Sequence, residues 1–206
     1  QLALKRASAL SEVDGRQVLD AGCGPGWYSE WLLKRGVEVT ALDISPAMLA
    51  QARKRLGDRA ALVWADLERP LPFVDDSFDA IVSCLVLEYV HAWHATMREF
   101  NRVLRPGGTL VFSCQHPFAD YCRHTETDYY DIALVSDEWT SFGGKVSVPF
   151  YRRPLSDIIE AVIKGGFRLE RLLEPRPLAE IKDRDPDSYV KLSKYPHFLW
   201  IRAIKA

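Results

Sequence analysis

Short apolar runs alternate with amphipathic stretches along the first half of the chain. Residues 16–21 form an apolar run that ends in the cluster Gly22-Cys23-Gly24-Pro25-Gly26. A helical pattern follows over Trp27–Arg35 and stops at Gly36. Val37–Asp43 is β-rich, and Ser45-Pro46 then opens a second helix, since serine caps well and proline suits the first helical position. Ala61–Asp66 and Phe78–Ser83 read as the third and fourth strands. A helix from about Ala92 to Leu104 ends at Arg105-Pro106-Gly107-Gly108, and Thr109–Ser113 is the fifth strand. Strands alternating with helices predict a mostly parallel sheet covered on both faces. Right-handed crossovers reduce the topologies to a Rossmann-like, doubly wound α/β fold.

Beyond Ser113 the rhythm breaks. Residues 115–146 are aromatic and polar, with Tyr129-Tyr130, Trp139 and Phe142-Gly143-Gly144. A long irregular stretch inside a domain is usually functional, so residues 115–151 are read as an inserted substrate segment within a single domain spanning 1–206. Val146–Tyr151 is a short added strand, Leu155–Lys164 a helix stopped by Gly165-Gly166, and Phe167–Leu173 and Phe198–Ile204 are further strands. The connection between those two is charged and contains proline. Leu2–Leu10 is helix-like.

Composition excludes several classes. The hydrophobic and charged fractions, 48% and 27%, are those of an ordinary folded protein. With a net charge of -1 there is no basic surplus for a nucleic-acid partner. No apolar run reaches the ~18–20 residues of a membrane span. Cys23, Cys84, Cys114 and Cys122 form neither a CxxC pair nor a zinc-like ligand set, and no metal is expected. Reduced cysteines fit a cytoplasmic location. A small-molecule partner remains, with a monomer and a homodimer equally open.

The candidate chemistry lies at strand ends. In α/β sheets ligands bind beyond the carboxyl ends of strands, and glycines there let backbone approach a ligand. The spacing Gly22-x-Gly24-x-Gly26 differs from the dinucleotide fingerprint, which would place glycine where Trp27 stands. That counts against a nicotinamide-dependent dehydrogenase. Asp43 closes the second strand, where a carboxylate can accept from both ribose hydroxyls. Asp66 closes the third, placed for an adenine amino group, with the Leu67 amide reaching a ring nitrogen. Asp20, Asp43 and Asp66 at successive strand ends together ask for an adenosine with a polar tail.

Val18-Leu19-Asp20-Ala21-Gly22-Cys23-Gly24-Pro25-Gly26 resembles the first motif of the class I S-adenosylmethionine-dependent methyltransferases. Ala41–Leu49 is similar to their second-strand motif. Ala65-Asp66-Leu67, the run from Leu71-Pro72-Phe73 to Ser77-Phe78-Asp79, and Arg102–Gly108 match later motifs in order. The likeness covers about residues 16–114 and is nearest the small-molecule, ubiquinone-methyltransferase-like branch. It implies seven strands with the last antiparallel, S-adenosyl-L-methionine as cofactor and S-adenosyl-L-homocysteine as product. It places Asp20, Gly22 and Gly24 around the methionine portion, with Ala21 among the cofactor-binding positions. Asp43 would hold the ribose, Ile44 and Met48 flank the adenine, and Asp66 and Leu67 cap its edge. Ser83 and Leu85 would line the sulfonium side. The family usually closes an N-terminal segment over the cofactor, and this chain begins too late to show it.

For an acceptor that needs a base, His116 is the first candidate, since it follows the fifth strand and has a suitable unperturbed pKa. A role confined to hydrogen-bonding the loop is its alternative. Tyr130, Trp139, Tyr151 and Arg152 are candidates for an acceptor pocket. His91 and His94 lack further ligands at metal spacing. Oxygen or carbon acceptors are favoured, because Ser83-Cys84-Leu85-Val86 stands where amide and nucleobase methylators carry Asn/Asp-Pro-Pro-Tyr. Two rivals remain: an aminopropyl-type transferase, and a non-catalytic S-adenosylmethionine-binding partner subunit.

Overall fold

A computed structural model describes residues 16–140 and 144–206; the helix expected over Leu2–Leu10, with Phe142 and Gly143, lies outside the described residues. Seven strands form one sheet: β1 (Gln17–Ala21), β2 (Glu38–Asp43), β3 (Ala60–Trp64), β4 (Phe78–Cys84), β5 (Leu104–Gln115), β8 (Phe167–Leu173) and β9 (Phe198–Lys205). Their order is β3-β2-β1-β4-β5-β9-β8. The pairs β1–β2, β2–β3, β1–β4 and β4–β5 are parallel, whereas β9 runs antiparallel to both β5 and β8. The Rossmann-like α/β fold with an antiparallel last strand is therefore as the sequence implies. Strand order reverses between β1 and β4, and the carboxyl ends of the parallel strands meet beside that switch point.

Period-two alternation explains how helices cover both faces. Leu19, Leu42, Ile81, Leu110 and Phe112 point to one side and pack with Trp93, Met97 and Phe100 of α3 (Trp93–Val103) and Ile158, Ala161 and Val162 of α5 (Leu155–Lys164). Their neighbours Val18, Val39, Ala41, Val82 and Val111 face the other side, against Leu32 of α1 (Trp27–Leu33) and Ala52 and Leu56 of α2 (Pro46–Leu56). Each such buried side chain contributes roughly 1.5–3 kcal/mol. Ser45 caps α2 as its sequence predicts, its Oγ accepting from the Met48 amide at 3.3 Å.

Three boundaries differ from expectation. The stretch Arg105–Gly108, read as a helix stop, belongs to the start of β5, which joins β4 through an irregular register between Phe78 and Ala80. β3 ends at Trp64, so Asp66 stands in the turn beyond the strand. The inserted stretch is structured: α4 (Pro117–Arg123) leads to a hairpin of β6 (Ala133–Trp139) and β7 (Val146–Arg152). The charged connection after β8 holds α6 (Ala179–Arg184) and α7 (Pro186–Lys194), neither of which buries a residue. Among the described residues, no helix is long and apolar enough to cross a membrane.

Candidate cofactor and acceptor site

The glycine loop turns sharply out of β1, and its amides at Gly22 and Cys23 both donate to the Leu42 carbonyl at 2.8 Å. Gly22 adopts φ +80°, and a Cβ there would stand 2.4 Å from the Val86 side chain. Only glycine meets both conditions. Gly24 offers the opposite surroundings, with no atom within 4 Å of where its Cβ would be. One glycine is therefore wedged against the turn after β4, and the other faces open space suited to a ligand.

Asp43 ties this loop to β2. Its Oδ2 accepts from the Gly24 amide and its Oδ1 from the Ser45 amide, each at 2.8 Å. Each oxygen retains a further lone pair for a hydroxyl group. Asp20 is buried beneath the loop, with Oδ2 accepting from the Ser29 hydroxyl at 2.5 Å and Oδ1 without a partner among the described residues. Burial raises its pKa to about 6, against the lowering effect of Ser29. A cationic group at Oδ1 would satisfy both the orphan oxygen and the carboxylate charge. Ile44 and Met48 are exposed on the far side of Asp43, and Trp64 donates its indole N–H to the Ile44 carbonyl at 2.9 Å. Asp66 Oδ1 accepts from the Glu68 amide at 2.9 Å, and Leu67 is buried beside it.

Some expected positions prove to be part of the framework. Ala21 is fully buried in β1, and Ser83, also fully buried, donates its hydroxyl to the Ala21 carbonyl at 3.0 Å. Ser83 therefore braces two strands and presents no oxygen to an open surface. Leu85 does reach the surface, at 41% exposure, and has φ +52°, rare for a leucine. Trp27 is half exposed, with the Arg55 guanidinium 3.2 Å over its ring.

His116 caps α4. Its Nδ1 accepts from the Phe118 amide at 3.1 Å, and its Nε2 lies 2.9 Å from Glu174 Oε1. An acceptor at Nδ1 places the proton on Nε2, so a base role would first have to break the cap. Burial lowers its pKa, opposed by Glu174. The four acceptor-pocket candidates do not converge. Tyr151 pairs with Leu134 near the base of the hairpin, Trp139 pairs with Val146 at its far end, and Tyr130 is 80% exposed. Arg152 is buried, its Nη2 donating to the Thr127 hydroxyl and to the Asp128 carbonyl. Tyr151 lines a cavity together with Glu88, Cys114, Gln115, Asp120 and Arg153. Glu88, in the turn after β4, escapes sequence reading because nothing in Leu87-Glu88-Tyr89 distinguishes a buried glutamate from a solvated one. His91 packs on Tyr151 at 4.9 Å and His94 lies 3.7 Å from Asp157.

Residues 19–112 match the family model described as "Methyltransferase domain". A malonyl-[acyl-carrier protein] O-methyltransferase of Erwinia billingiae is 42% identical over 112 residues, 52% of this chain and 42% of that protein. The match thus spans less than half the length of that relative. A solved S-adenosylmethionine-dependent methyltransferase of Mesorhizobium loti is 28% identical, with a TM-score of 0.74, covering 94% of this chain and 92% of that one. A Listeria monocytogenes structure, provisionally named as the same kind of enzyme, gives a TM-score of 0.81 at 24% identity and covers 95% and 92%.

Proposed function

We propose that this chain, whose residues 19–112 match a methyltransferase-domain family model, moves a methyl group from S-adenosyl-L-methionine to a small-molecule acceptor. The observation that carries this reading is the pairing of an orphaned, buried Asp20 Oδ1 with an Asp43 carboxylate that already holds the glycine loop in place. In it Asp20 meets the ammonium of the methionine tail, beside Gly22 and Gly24. Asp43 accepts from the ribose hydroxyls, Ile44 and Met48 form the shelf for the adenine, and Asp66 and Leu67 meet its edge. Leu85 borders the reacting carbon.

When bound there, the cofactor supplies a methyl carbon activated by a positive sulfur. The chain's work is then to hold an acceptor in line with that carbon, an effect that can lower a barrier by about 7–11 kcal/mol in favourable cases. We assign the acceptor side to the segment 115–151, whose α4 follows β5 and whose strand β7 packs on the turn after β4. An oxygen acceptor accords with the O-methyltransferase relatives, and a cytoplasmic location with the free cysteines.

Calorimetric titration with S-adenosylhomocysteine and with NADH tests this reading. The expected result is micromolar binding of the first alone, weakened at least tenfold by Asp43→Ala. Equal affinity in that variant would show that the ligand sits elsewhere, and binding of NADH instead would overturn the reading.

A further inference from the structure

The cavity beneath the hairpin contains a buried group that the cofactor reading leaves without a role. Glu88 is 5% exposed, and its Oε2 has no hydrogen-bond partner among the described residues. Leaving such an oxygen unpaired costs about 1–3 kcal/mol, and more when it is charged. The void is small, about 10 Å³, roughly enough for one water. It therefore takes a reacting group, with the body of an acceptor lying outside it.

The charges around the cavity fix which group is welcome. Arg153 donates from Nη1 to Asp157 at 2.7 Å and from Nη2 to the Val90 carbonyl at 3.0 Å, while its Nε has no partner among the described residues. Arg123 holds Asp120 at 2.7 Å. The charge that Glu88 itself feels is Asp120, a second carboxylate. Once Glu88 is ionised, an acceptor carboxylate entering here would meet it and Asp120 as like charges, whereas an O–H or N–H would meet the missing partner. Position agrees. Val86 stands against Gly22, so the turn carrying Glu88 leaves β4 alongside the glycine loop. Trp93 pins that turn, its indole donating to the Leu87 carbonyl at 2.7 Å.

We propose that Glu88 is the acceptor-side catalytic residue, recognising an acceptor through an O–H or N–H on the atom to be methylated and taking that proton during transfer. The inference rests on the methyltransferase reading above. As the acceptor atom bonds to the methyl carbon, the carbon–sulfur bond breaks and its electron pair stays on sulfur. The acceptor's proton passes to Glu88 and later to water.

Burial, reinforced by Asp120, raises the pKa of Glu88 to about 8. The groups facing it are Asp120 of α4, Cys84 of β4, Cys114 of β5, Tyr89 of its own turn, and Tyr151 and Arg153 at the end of the hairpin. The ionised form is the one that accepts a proton, so turnover should rise with pH through that value.

The test follows the carbon-13 resonance of the Glu88 carboxyl at about pH 9, where that group is ionised, assigned by its absence in Glu88→Gln, in protein saturated with S-adenosylhomocysteine. Phenol, benzylamine and benzoate are added in turn. The expected result is a shift with phenol or benzylamine and none with benzoate; phenol alone assigns an oxygen acceptor and benzylamine alone a nitrogen one. A shift with benzoate, or with none of the three, overturns the proposal. Should S-adenosylhomocysteine itself fail to bind, the methyltransferase reading falls, and this one with it. With any acceptor that turns over, Glu88→Gln should lower kcat about 100-fold and abolish the rising limb of the pH profile, while cofactor affinity stays within twofold.

Discussion

A carboxyl group folded into a place without a partner keeps its proton longer than the same group in the unfolded chain. For Glu88 the folded pKa of about 8 lies above the ordinary 4.5. The native state therefore binds more protons than the unfolded state between those values, and stability falls as pH rises through that window. Asp20 adds a smaller effect of the same sign between 3.8 and about 6. Glu88→Gln removes one of these titrations and keeps the shape of the side chain. The variant should match the wild type near pH 5 and exceed it by on the order of 2 kcal/mol at pH 9. Urea denaturation at the two pH values checks this, and a variant less stable than the wild type at pH 9 would mean that the carboxylate has a partner after all. Asp20, Asp43 and the glycine spacing were legible from sequence because strand-end acids and glycines carry their geometry in their order. Glu88 was not, since burial of a polar residue depends on a hairpin that arrives some fifty residues later in the chain.

At the scale of elements, α3 fastens the long connection between β3 and β4. Arg102 donates to Glu99 at 2.6 Å, to Asp75 at 2.8 Å, and to the carbonyls of Phe73 and Leu71. Its planar fork serves several acceptors at once, which a lysine cannot. Arg102→Lys should therefore cost nearly as much as Arg102→Ala, about 2–3 kcal/mol by chemical denaturation; a lysine variant of wild-type stability would reduce the network to a simple charge pair. The parallel half of the sheet was readable in sequence, each strand bounded by glycine or a helix cap. The hairpin was half legible: Val146–Tyr151 announced a strand, while its partner Ala133–Trp139 is interrupted by Ser136, Asp137 and Glu138 and shows no clean alternation. The helices α6 and α7 gave no signal because neither has a face to bury. His116 illustrates the converse, a residue conspicuous in sequence whose ring the fold uses as a helix cap.

Over the whole molecule, order should follow the sheet. β1, β2, β4, β5 and β9 are flanked on both edges, and amides there open only with large-scale unfolding. Hydrogen exchange should find these strands the slowest and residues 179–194 among the fastest. Comparable protection of α6 and α7 would indicate that they are covered in solution. Finally, the hydrogen bond from Gly24 to Asp43 holds the glycine loop through the protein's own atoms. On the proposed reading the fold itself shapes the cradle, and little conformational freedom is surrendered on docking. Encounter becomes a matter of diffusion and orientation, without a wait for a rare loop geometry, and differences in grip among related ligands should then reside in how slowly each one departs.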